Sequence, residues 1–300
     1  MPGLVTQSPS PLDPDTDSAL VGTNAWAATY PRIRSVAMLL WQRITPVATK
    51  VPEITVLFWV IKVLTTAMGE ATSDFLVFQI DPVIAVILGA VGLAIAMALQ
   101  LLARRYIPAI YWLAVAMVAV FGTMGADVVH IGLGVPYVVS TVFFSLCLAV
   151  IFCIWYLTER TLSIHSIYTP RRELFYWATV MATFALGTAA GDMTASTMGL
   201  GYFTSGVMFG ILFVLPALGY RLIRLNPILA FWIAYVLTRP FGASFADWAG
   251  KAQNLSGLGL GTGGVSVVLT IVIVILVGYL TVTRKDVERA GSAASEISAR

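Results

Sequence analysis

The sequence predicts an all-α, polytopic membrane protein of eight transmembrane helices, arranged as four helical hairpin repeats of parallel orientation. Three observations predict it: a composition too apolar for water, eight apolar runs of membrane length, and one spaced motif that recurs four times. Of 300 residues, 58% are hydrophobic and only 11% are charged, whereas a soluble domain carries about 25% charged residues. With a mean hydropathy of +0.87, the chain has too little polar surface to stay in water. The lipid bilayer is its expected partner.

Taken in order, the chain opens on a polar tail, residues 1–49. The stretch SPSPLDPDTDS is rich in Pro, Ser and Asp and predicts disorder. No long apolar run precedes it, so no cleavable signal peptide is expected at the start. Ser35 to Ala48 (SVAMLLWQRITPVA) is too short and interrupted to span, and reads as an interfacial amphipathic helix. Spans are then predicted over 54–74 and 83–102 (repeat 1, 50–106), and over 108–127 and 137–157 (repeat 2, 107–170). Those over 174–192 and 202–220 make repeat 3 (171–226), and those over 228–246 and 264–283 make repeat 4 (227–283). Residues 284–300 form a C-terminal tail.

The connections alternate in charge. Arg32, Arg34, Arg43, Lys50, Arg104, Arg105, Arg160, Arg171, Arg172, Arg221, Arg224, Arg284, Lys285, Arg289 and Arg300 all fall on one side. The other side holds Lys251 alone, while Lys62 and Arg239 fall inside spans. The positive-inside rule therefore predicts cytoplasmic N- and C-termini. With the basic residues scattered between apolar runs, no nucleic-acid partner is expected. Cys147 and Cys153 share one apolar run and read as buried small hydrophobes.

The motif is (F/Y)W-x9-G-x4-D. It places Trp59, Trp112, Trp177 and Trp232 ten residues before Gly69, Gly122, Gly187 and Gly242. Five further on stand Asp74, Asp127, Asp192 and Asp247. On a straight helix Trp and Asp differ by about 60° in direction and by about 22 Å along the axis. The tryptophans read as interfacial anchors or packing residues, and the glycines as points of close helix approach, or of a kink. The residue after each glycine shares the face of the aspartate: Glu70, Thr123, Thr188 and Ala243.

The aspartates carry two open readings. Near span ends they serve as caps or meet water; converging inside the bilayer, they demand a bound cation, a counter-charge or protons. Lys62 and Arg239 break the symmetry and are the candidate counter-charges, with Thr123 and Thr188 as supporting polar groups. Repeats 1 and 4 would be neighbours in a closed ring. Pro240 predicts a kink in the seventh span. The glycine-rich GLGLGTGG (257–264) reads either as turn punctuation or as backbone folding back toward the aspartates as a re-entrant segment. Zinc hydrolase and thiolate motifs are absent; His130 and His165 are the only histidines, placed in loops on opposite sides.

KVPEITVLFWVIKVLTTAMGEATSD, FYWATVMATFALGTAAGD with MGLGY, and FWIAYVLTRPFGASFADW with GLGLGTG resemble a family of bacterial membrane proteins built from four tandem two-span repeats of unknown function. Its members are generally labelled "uncharacterised membrane-anchored protein". The resemblance covers residues 50 to 283 and implies the same four-repeat architecture, but brings no substrate with it. Repeat 2 departs most, with Val118 where the others have Thr65, Thr183 and Thr238.

The residues themselves point to a transporter or channel for a hard cation, ligated by Asp74, Asp127, Asp192, Asp247 and Glu70. Oxygen ligands without thiols suit manganese, magnesium, calcium, sodium or protons. No cofactor and no catalytic residue is expected. One alternative is a structural or accessory membrane protein whose polar residues fix helix packing. Another is a membrane-embedded enzyme on a lipid-linked substrate, which needs a lateral opening beside Arg239.

Overall fold

In the computed structural model residues 49–286 are described; the predicted interfacial helix and most of the two tails lie outside them. Eight helices account for most of this stretch, and no strand occurs among the described residues. They are α1 (Val56–Gln79), α2 (Pro82–Leu102), α3 (Pro108–Asp127), α4 (Tyr137–Glu159), α5 (Pro170–Asp192), α6 (Gly201–Ile223), α7 (Pro227–Gly250) and α8 (Thr262–Thr283). Five-residue π-helical turns, Val128–Gly132 and Met193–Thr197, extend α3 and α5.

Local chemistry explains where helices start and stop. Pro82, Pro170 and Pro227 occupy first-turn positions, behind side-chain caps from Asp81, Thr169 and Asn226. A proline there gives up only an N–H that has no helical acceptor. At the other end of the outer helices, Arg160, Arg224 and Arg284 adopt left-handed backbone as C-caps of α4, α6 and α8. Their positive charge complements the carbonyl end of each helix.

Seven of these helices are long and apolar enough to cross a membrane. The eighth, α1, has 24 residues but carries Lys62, Glu70 and Asp74. The odd and even helices differ sharply. In α3, α5 and α7, 56–61% of the apolar window is buried, against 17–22% in α2, α4, α6 and α8. Large apolar side chains such as Ile87, Leu146, Leu215 and Ile275 stand exposed on the even helices. That pattern suits a ring of inner helices wrapped by outer ones that face hydrocarbon.

The inner ring closes in chain order. α1 packs on α3, α3 on α5, α5 on α7, and α7 back on α1. Its contacts repeat at the motif glycines. A Cβ on Gly69 would lie 2.3 Å from the Ala119 side chain, and one on Gly122 would lie 2.8 Å from that of Phe184. On Gly187 it would meet Arg239 at 2.4 Å, and on Gly242 it would meet Thr66 at 2.0 Å. Ala119, Phe184, Arg239 and Thr66 are equivalent positions, each seven residues after its motif tryptophan. Each repeat thus presses its glycine onto the same point of the next repeat. The glycines are the close approaches of a pseudo-four-fold ring.

The outer helices correct the hairpin picture. Each lies chiefly on the inner helix of the following repeat: α2 on α3, α4 on α5, α6 on α7, and α8 on α1. Small-to-large packing sets this register. Gly89 and Gly92 admit Met124 and Met117, Gly206 and Gly210 admit Phe245 and Phe241, and Gly263 admits Phe75. The repeats are interlocked, and the last helix seals the first repeat. α7 runs unbroken through Pro240 to Gly250. Cys147 is half-buried and Cys153 exposed, so neither is the buried small hydrophobe expected.

One end of the bundle, carrying the connections at 49–55, 103–107, 160–169, 224–226 and 284–286, is called the terminal end. It is stitched by polar contacts. Lys50 pairs with Glu173 at 2.6 Å and donates to the Leu101 carbonyl at 3.1 Å, while Gln100 donates to Glu173 at 3.1 Å. Arg171 and Arg172 both bind Glu159. Tyr106 donates to Asp286 at 2.5 Å. Burial, together with this neighbouring carboxylate, pushes the Tyr106 hydroxyl well above the usual phenol range.

Candidate functional site

The ring interior is built from one stripe per inner helix, repeating every four residues. Counting from each motif tryptophan, the stripe takes positions −1, +3, +7, +11 and +15, so successive members stack on one helical face. Nearest the terminal end are Phe58, Tyr111, Tyr176 and Phe231. Next come Lys62, Val115, Val180 and Tyr235, then Thr66, Ala119, Phe184 and Arg239, then Glu70, Thr123, Thr188 and Ala243. All sixteen are buried. The aspartates form the last layer, toward the distal end.

Arg239 organises the layer below the aspartates. Its guanidinium is fully enclosed, and the two N–H groups of its Nη2 are shared among Glu70, the Thr123 hydroxyl and, at 2.7 Å, Thr188 Oγ1. Thr123 donates to the Ala119 carbonyl at 3.0 Å and Thr188 to that of Phe184 at 3.1 Å, so both hydroxyl oxygens are turned toward the arginine. The residues following the first three motif glycines therefore converge on one cation from the fourth repeat. In that repeat the equivalent residue is Ala243, which leaves room for Arg239 rising from one turn earlier.

Lys62 behaves differently. It is 1% exposed, and its Nζ has no hydrogen-bond partner among the described residues. It rests instead on two rings, 4.0 Å from the centre of Phe184 and 4.3 Å from that of Tyr235. Arg239 approaches the same Phe184 ring at 5.4 Å. Lys62 therefore does not pair with a carboxylate.

The aspartates do not form one equivalent set. One carboxylate oxygen each from Glu70, Asp74 and Asp247 fall within 4.8 Å of one another. Asp127 and Asp192 stay outside that group but within electrostatic reach of it. Asp74 stands five residues before the end of α1, whereas Asp247 falls in the last turn of α7, its carbonyl accepting from the Lys251 N–H at 2.8 Å. Asp127 and Asp192 sit where α3 and α5 pass into their π-helical turns, a distortion often found at functional sites.

A third base, Lys251, completes the cluster. Its ammonium lies 3.1 Å from Asp247, 3.7 Å from Asp74 and 4.7 Å from the centre of the Tyr202 ring. Burial alone would lower its proton affinity, but Asp247 and Asp74 hold it well above the ordinary lysine range. The glycine-rich loop keeps it there by folding back on the end of α7. Gly259 and Gly257 donate to the Lys251 and Ala252 carbonyls at 2.9 and 3.1 Å, and Gly261 to that of Gly250 at 3.1 Å. Gly259 and Gly261 have positive φ, 78° and 82°, as the turn requires. As a lone loop lysine, Lys251 gave no signal except its position four residues after Asp247.

The remaining candidates have packing positions. Trp112, Trp177 and Trp232 are buried in the core rather than set at a surface belt, with Trp59 half-buried. Trp232 donates to the Leu162 carbonyl at 2.9 Å. Thr65, Thr183 and Thr238 bond the carbonyls of Lys62, Val180 and Tyr235 three residues back, at 2.8, 2.6 and 2.6 Å. Those bonds are local to one helix, which is why repeat 2 manages with Val118. His130 lies in a π-helical turn rather than a loop, beside Ser140 at 3.0 Å.

Residues 57–106, 110–161, 175–224 and 230–286 each match the family model described as Repeat of Unknown Function (DUF347). Neither the curated proteins nor the solved structures contain a match. By these four matches, over an interlocked ring of four repeats, the chain belongs to the DUF347 repeat family.

Proposed function

We propose that the protein is a transporter for a hard inorganic cation, set in a bacterial cytoplasmic membrane with both termini in the cytoplasm. The observation that carries this reading is the three-carboxylate group of Glu70, Asp74 and Asp247, held within 4.8 Å with the Lys251 ammonium beside it. Three converging carboxylate oxygens suit Mn²⁺, Ca²⁺ or Na⁺. Lys251 is then the resident counter-cation that cargo displaces, and Asp127 and Asp192 supply a negative field at the entrance. Below the site the axis is filled by Arg239, Phe184, Lys62 and Tyr235, all buried. A filled axis favours a carrier over an open channel.

The test is flux in proteoliposomes, with Mn²⁺, Mg²⁺, Ca²⁺, Na⁺ and H⁺ compared for wild type and for Asp74→Asn with Asp247→Asn. Flux of one cation that the double variant loses, while remaining folded, supports the reading; no flux of any cation sinks it. The Arg239 cluster favours a second reading, in which the polar residues serve packing alone. Under it, Asp→Asn changes lower stability and no ion binds. An enzyme acting on lipid-linked substrate needs access beside Arg239, and that side chain is fully enclosed.

A further inference from the structure

Lys62 occupies a position that does not need a lysine. Its equivalents in the other repeats are Val115, Val180 and Tyr235, all buried at the same level of the ring. Burying an ammonium without an anion is costly, and contact with aromatic faces returns only part of that cost. Packing alone is therefore better served by the valine found in two repeats.

Its surroundings link it to both ends of the axis. On the distal side, α7 contributes Arg239, which shares the Phe184 ring with Lys62 and is neutralised by Glu70. On the terminal side, α7 contributes Tyr235, whose hydroxyl lies beside that of Tyr176 on α5 without a well-formed hydrogen bond. Tyr176 and Tyr111 of α3 then join hydroxyl to hydroxyl at 2.5 Å. The other helices packed on α1 add nothing titratable at this level: α2 has no ionisable group and α8 only Tyr279.

We propose that Lys62 is the proton-carrying residue of the transport cycle, giving up a proton when a cation enters the carboxylate site and regaining it when the cation leaves. This rests on the cation-site reading above. The coupling is electrostatic. A cation that draws on Glu70 leaves the Arg239 charge less neutralised, and that charge faces Lys62 across a shared ring. The Nζ–H bond breaks with its electron pair left on nitrogen. The proton leaves toward the terminal end, past the hydroxyls of Tyr235, Tyr176 and Tyr111, and is taken up by water there.

The experiment is calorimetric titration of the detergent-solubilised full chain with Mn²⁺, in two buffers of different ionisation enthalpy. The difference counts protons released per cation. Lys62→Met is expected to release one proton fewer than wild type while still binding Mn²⁺. Lys62→Arg keeps the charge but cannot titrate, so it should lose the same proton; a merely structural role would be rescued by it. A wild-type proton count in either variant, with binding intact, overturns the proposal and leaves the cation site standing. Absence of Mn²⁺ binding by wild type overturns both. Tyr235→Phe, which keeps Lys62 and its ring contact, should slow cation-driven pH change in proteoliposomes at least tenfold. An unchanged rate there overturns the tyrosine route.

Discussion

Repeats 1 and 4 and repeats 2 and 3 share one backbone plan and one motif but differ in what they bury. Lys62, Glu70, Arg239 and Lys251 all belong to repeats 1 and 4. At the levels of the first three, repeats 2 and 3 offer Val115, Val180, Thr123, Thr188, Ala119 and Phe184. The ring closes where repeat 4 meets repeat 1, so the four charged groups come from the two sides of one seam, that between α1 and α7, and Lys62 and Arg239 reach inward from it to the ring axis. The scaffold is four-fold; the placement of these four charges is not.

The difference teaches how a repeat protein makes a site. Glycine at the same point of each inner helix maintains the ring, and substitutions in the stripe can then diversify without disturbing it. Thr123 and Thr188 illustrate this. They occupy the position of Glu70, yet act as acceptors for the arginine that Glu70 neutralises.

The comparison breaks most readily at the glycines. Gly242→Val places atoms into Thr66 and the Val63 carbonyl, where even a Cβ would come within 2.0 and 2.9 Å. Overpacking of this kind costs about 1–3 kcal/mol or more, and the seam should open first. Gly125→Ala, with nothing within 4 Å of its Cβ, is the control and should melt as wild type does. Thermal melting in detergent reads both. Equal melting temperatures for the two variants would contradict the ring contact.

The buried ion pair carries an effect at least as large. Arg239→Met leaves Glu70 enclosed without its partner, and breaking such pairs costs about 3–5 kcal/mol when the remaining charge stays ionised. Adding Glu70→Gln should recover most of that loss. A double variant as unstable as Arg239→Met alone would show that the two side chains do not act as a pair.

Smaller effects sharpen the contrast between repeats. Thr188→Val removes one hydroxyl from the charged donor Arg239, a loss of about 1.5–3 kcal/mol. Thr183→Val removes only a bond to its own helix and copies Val118 of repeat 2, so it should cost less than about 1 kcal/mol. The order of the two melting shifts is the test.

Much of this organisation was legible in the residues. The four-fold motif and the eight apolar runs give the inner and outer helices, and the spacing from glycine to the following residue puts Glu70, Thr123 and Thr188 on one face. Arg239 stood out as a cation inside an apolar span. The exchange of outer helices between repeats was not legible, because an outer helix that is apolar all round carries no mark of which neighbour it packs on. Lys251 was hidden for a different reason. A lysine in a glycine-rich loop reads as solvated until the loop is seen folded back over Asp247. The convergence of Asp74 and Asp247 without Asp127 and Asp192 likewise depends on side-chain distances that an equal spacing in four repeats cannot express.

The most direct measurement is equilibrium binding of Mn²⁺ to the purified chain, compared between two double variants. Asp74→Asn with Asp247→Asn removes two carboxylates from the seam, and Asp127→Asn with Asp192→Asn alters the same motif position across the ring. Binding that falls at least tenfold in the seam variant, and clearly less in the other, is the predicted result. Equal losses in both would contradict a site confined to repeats 1 and 4, and no binding by the wild-type chain would contradict the cation site itself.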